Sequence, residues 1–121
     1  LACEHGGDAA RGFALSQAAM ARAGEMESDQ SRDWLTVNHA FLALEAGQPA
    51  VEVLEQLTRL ASTHARMSPY QRGVLHYVTA RCHEQSGLAD DAKSEVDAAE
   101  AACRSEWLAA RCAALRERLA T

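Results

Sequence analysis

A glycine recurs in this chain at intervals of about forty residues, each time closing a similar stretch. Residues 1 to 6 read Leu-Ala-Cys-Glu-His-Gly and residues 42 to 47 read Leu-Ala-Leu-Glu-Ala-Gly, agreeing at four of six positions at an offset of 41. A third stretch, Cys82-His83-Glu84-Gln85-Ser86-Gly87, ends 40 residues beyond Gly47. After each glycine come a short turn, a small residue (Ala9, Ala50, Ala92) and, four positions on, a bulkier one (Phe13, Leu54, Val96). Self-similarity at such a period marks repeated supersecondary units, each too small to bury its apolar face alone and therefore stacked on its neighbours.

The segments between the glycines read as helices. Among the 121 residues are 26 Ala against 2 Pro and 7 Gly; Ala is the best helix former and Pro and Gly are the main breakers. The β-branched residues, aromatics and frequent turns that a sandwich or barrel needs are missing. Six helices are expected. The first covers about 8–25, with Phe13, Ala14, Met20 and Ala21 on one face, and the second about 31–46, with Trp34, Leu35, Asn38, Phe41, Leu42 and Glu45 at helical spacing. Gly47 suits a left-handed cap and Pro49 the first turn of a third helix, which runs to about 65 through Val51, Leu54, Leu57 and Leu60. Ser68-Pro69-Tyr70-Gln71 combines a capping box with Pro at the first helical position. The fourth helix carries Val74, Leu75, Val78 and Cys82 and stops at Gly87. A fifth spans about 90–103. The sixth, about 105–120, has an apolar stripe of Leu108, Cys112, Leu115 and Leu119 and a charged back.

With the helices placed, Ala80, Gly87, Ala92 and Ala99 fall at the spacing of the small residues of a tetratricopeptide repeat, where two antiparallel helices approach closely. Tyr77 lies on the first helix of that pair and Val96 at the large apolar position of the second; residues 31–65 look like another copy, with Ala40, Gly47, Ala50, Leu54 and Leu57. The chain resembles the tetratricopeptide-repeat family over most of its length. Its period is about 40 rather than about 34, His83 stands where a large aromatic is usual, and Arg104 replaces the customary Pro. The longer period is similar to variant repeats in helical arrays of multidomain bacterial regulators, such as the maltose-regulon activators. The resemblance implies an all-α fold: one domain of stacked antiparallel hairpins, a short α-solenoid with units at about 1–26, 31–65 and 69–104 and a capping helix at 105–120. Residues 1 to 6 match the tail of a helix whose beginning is missing, so a fragment of a longer array is expected.

Charge and motif content narrow the function. Asp and Glu number 17 against 12 Lys and Arg, a net charge of −5, and the cations are scattered. A polyanionic backbone or an anionic membrane surface rewards dense Lys and Arg, so neither nucleic acid nor membrane is an expected partner. No apolar run approaches the ~18 residues of a membrane span, and no secretory leader is visible. Cys3, Cys82, Cys103 and Cys112 form no Cys-x-x-Cys pair and read as small buried hydrophobes of a reducing, cytoplasmic protein. Of the five His (5, 39, 64, 76, 83), His76 and His83 lie two turns apart, and Glu84 lacks the spacing of a zinc protease. Convergence of Cys82-His83 with Cys3-Glu4-His5 on one ion, as in a metal-binding helical bundle, would join segments that the repeat places in different layers. The His are expected as polar positions on or near a groove, with no metal. No phosphate loop follows Gly6-Gly7-Asp8, no nucleophile elbow occurs, and Asp90-Asp91 at a helix start serve the orphan amides and the macrodipole. Neither catalysis nor a cofactor is expected.

Binding remains. The resemblance implies that the first helix of each pair lines a concave groove holding a peptide or protein segment. Carried over with Gly47 and Gly87 as anchors, the groove positions are Trp34, Val37, Phe41, Leu44 and Glu45, then Val74, Tyr77, Arg81, Glu84 and Gln85. Asn38 and Arg81 are candidates for holding a peptide carboxylate, although no Lys-rich clamp is spelled out. For Trp34 and Phe41, burial between helices is the equal alternative. The expected function is a non-catalytic protein-interaction scaffold whose partners are a protein or peptide, neighbouring repeats of the parent chain, or a second copy through the terminal helices. The alternative is a small-ligand or peptide sensor region of a bacterial signal-transducing transcriptional regulator.

Overall fold

A computed structural model of the chain describes residues 9–21, 29–60 and 67–120. Among these residues there are six helices and no strand: α1 (Ala9–Ala21), α2 (Asp29–Glu45), α3 (Ala50–Thr58), α4 (Pro69–Gln85), α5 (Ala89–Ala102) and α6 (Glu106–Leu119). Each meets one of the expected helices. The first glycine stretch, residues 1–6, and the expected end of the first helix lie outside the described residues, whereas α3 ends at Thr58, short of the expected 65. No helix is long and apolar enough to cross a membrane among those described. The chain divides into two compact units, Leu1–Thr63 with α1 to α3 and His64–Thr121 with α4 to α6.

The helix ends follow from local chemistry. Gly47 and Gly87 hold φ of 88° and 79°, a left-handed conformation that costs any residue bearing a Cβ. Both close their helices with the same pair of bonds. Gly47 N–H donates to Leu44 C=O at 3.0 Å and Gln48 N–H to Ala43 C=O at 2.9 Å; Gly87 N–H donates to Glu84 C=O at 3.1 Å and Leu88 N–H to His83 C=O at 2.9 Å. These are two Schellman caps, and they satisfy carbonyls that the helix itself leaves without partners. At the start of α4, Ser68 Oγ accepts from Gln71 N–H at 3.2 Å and Gln71 Oε1 accepts from Ser68 N–H at 3.1 Å, a complete capping box with Pro69 at N1. Ser105 Oγ caps α6 by accepting from Leu108 N–H at 3.1 Å. Pro49 sits one residue earlier than expected, as the residue flanking α3. Asp90 and Asp91 lie in the first turn of α5, where they favour the macrodipole, but no side chain caps that helix.

In the second unit α4 lies along α5, and α6 packs against both. The small residues set this spacing: Ala80, Ala92 and Ala99 are fully buried, with Val74, Val78, Cys82 and Val96 around them. The α6 stripe buries Leu108, Cys112 and Leu115 completely, while Leu119 is only half-buried. Gly73 marks the tightest crossing. A Cβ there would stand 2.7 Å from Leu108 Cδ2, 3.2 Å from Cys103 Cβ and 3.4 Å from Ala99 O.

In the first unit the buried faces differ from those the spacing suggested. On α3 the core residues are Val53 and Leu57, continued by Leu60, whereas Val51 is 66% exposed and Leu54 half-buried. The steps of four and three from 53 to 60 make a better stripe than 51, 54, 57, and the helix turns accordingly. On α1 the buried positions are Gly12 and Ser16; Ala14 is exposed, and the side chains of Met20 and Ala21 lie outside the described set. The second half of α2 is buried all round, from His39 to Leu44.

Candidate functional site

The residues assigned to a groove divide into two groups. Trp34, Asn38 and Glu45 are half-buried on α2; Val37 and Phe41 are fully buried and Leu44 is 4% exposed. Phe41 therefore belongs to the core and offers no surface, because it falls in the stretch of α2 that is covered on every side. On α4, Val74 is fully buried and Tyr77 is 2% exposed. Tyr77 packs edge-on against Trp107 of α6, with ring centroids 6.5 Å apart at 71°, and its hydroxyl accepts from Arg81 Nη1 at 3.3 Å. Arg81 Nε lies 3.8 Å from Glu84 Oε1. The Glu84 carboxylate in turn accepts from Arg118 of α6, from Nε at 2.7 Å and Nη2 at 3.2 Å. Gln85 is exposed. Tyr77, Arg81 and Glu84 thus form one network inside the second unit. The sequence positions gave no sign of it, because the closing partner, Arg118, lies 34 residues beyond Glu84.

Residues outside the named groove positions build a polar cavity of about 180 Å³ in the first unit. Phe13 and Gln17 of α1, His39 and Ala43 of α2, Gln48 of the turn, and Glu52, Val53 and Gln56 of α3 line it. His39, expected near a groove, is 7% exposed, as is Ser16. Its ring stacks on Phe13 with centroids 5.2 Å apart and planes at 22°. Ser16 Oγ lies 2.9 Å from Phe13 C=O and 2.6 Å from His39 Nδ1, bridging the helix carbonyl and the imidazole. Burial lowers the imidazole pKa below its usual 6.5, favouring the neutral ring. Opposite, Gln56 Oε1 is buried with no hydrogen-bond partner among the described residues, and the same holds for Asn38 Oδ1.

Several other titratable groups are paired across helices or buried. His76 Nδ1 meets Glu95 Oε2 of α5 at 2.7 Å. Burial pushes the thiols of Cys82 and Cys112 up to about 11. Arg116 joins α6 to Asp97 and Glu100 of α5. Among the described residues no three of His, Cys, Asp and Glu come together as metal ligands; Cys3, Glu4, His5 and His64 lie outside that set.

Comparison with protein-family models, with curated proteins and with solved structures gives no match.

Proposed function

We propose that the protein is a non-catalytic interaction module that takes up a protein segment along α2, with the α2–α3 and α4–α5 hairpins serving as copies of one tetratricopeptide-like unit. The observation that carries the reading is the half-buried face of α2 formed by Trp34, Asn38 and Glu45. Trp34 lies one turn before Asn38 and Glu45 two turns after, so all three share a face of α2. A Trp contributes much of the contact area in protein interfaces. The matched caps at Gly47 and Gly87 and the buried Ala40, Ala80, Ala92 and Ala99 support the repeated-hairpin reading. In the second unit the charged side chains of Arg81, Glu84 and Arg118 already answer one another, which suits a scaffold. The buried thiols fit a reducing, cytoplasmic setting.

Selection of random displayed peptides on the intact protein tests this. Recovered peptides should bind Asn38→Leu about three- to tenfold more weakly, the worth of one hydrogen bond, with its melting temperature unchanged or raised. Failure to recover any peptide, or peptides indifferent to both Asn38→Leu and Trp34→Phe, would overturn the proposal. A second reading, response to a small ligand, is favoured by the polar cavity of the first unit.

A further inference from the structure

We draw no further inference here: the strongest candidate, the cavity of about 370 Å³ between α5 and α6 lined by Glu100, Cys103, Arg104, Leu108, Ala109 and Cys112, rests on the one partly exposed thiol of Cys103 beside the buried Cys112, with no second observation in the structure that points to a ligand.

Discussion

Gly73→Ala sets two well-known effects against each other. In an open helix interior the change gains about 1 kcal/mol, because Ala restricts the unfolded chain and favours helix. At this position the new methyl would stand 2.7 Å from Leu108 Cδ2, about 1 Å inside the ordinary ~3.5–4.0 Å carbon contact. The far end of a leucine often swings aside cheaply. Here Leu108 is fully buried, and the methyl is also hemmed in by Cys103 Cβ at 3.2 Å and Ala99 O at 3.4 Å. Overpacking of this kind costs about 1–3 kcal/mol, so the expected net is a loss of about 0–2 kcal/mol. In a cooperative unit of about 60–100 residues, each kcal/mol lowers Tm by about 4–8 °C. Urea unfolding followed by circular dichroism measures the change, and a cycle with Leu108→Ala assigns it. Alone, Leu108→Ala should cost about 2–5 kcal/mol. In the double variant the methyl at 73 occupies part of the space vacated, so the sum should overestimate the loss by about 1 kcal/mol or more. Stabilisation of Gly73→Ala by the full helix-propensity gain, or additivity within about 0.3 kcal/mol, would show that α4 and α6 do not cross at Gly73.

Three further outcomes follow from the structure. Because the folded state holds His39 below its unfolded pKa of 6.5, the unfolded chain binds the extra proton first; stability should be full above about pH 6.5 and fall as pH drops below it, and His39→Gln should flatten that slope in urea titrations across pH 5–8. Ser68→Ala removes the oxygen that caps Gln71 N–H and should cost about 0.5–2 kcal/mol, recovered largely by Ser68→Asp in the same unfolding assay. In native protein at pH 8, Cys103, which is partly exposed, should react with a thiol reagent well before Cys82 and Cys112, whose buried thiols are pushed up to about 11. Denaturant should abolish the difference, and equal native rates would place those two thiols outside the core.

Helix positions and helix ends were legible in the residues themselves. The Gly47 and Gly87 caps and the Ser68–Gln71 box are closed by bonds spanning three to five residues, and a pattern that short carries its own answer. The α4 and α6 core stripes were legible for a related reason: one uninterrupted apolar face leaves a helix a single way to turn. On α1 the apolar residues are spread around the helix and packing buried Ser16 rather than Ala14, whereas on α3 the stripe through Val53, Leu57 and Leu60 prevailed over the expected one through Val51 and Leu54. What only tertiary structure decided are the meetings of distant residues. Ser16 reaches His39 across 23 positions, Glu84 reaches Arg118 across 34, and Gly73 is pressed against Leu108. A hydrogen-bond partner or a steric limit that arrives from another helix leaves no local trace, so the polar cavity emerges only once α1, α2 and α3 have come together.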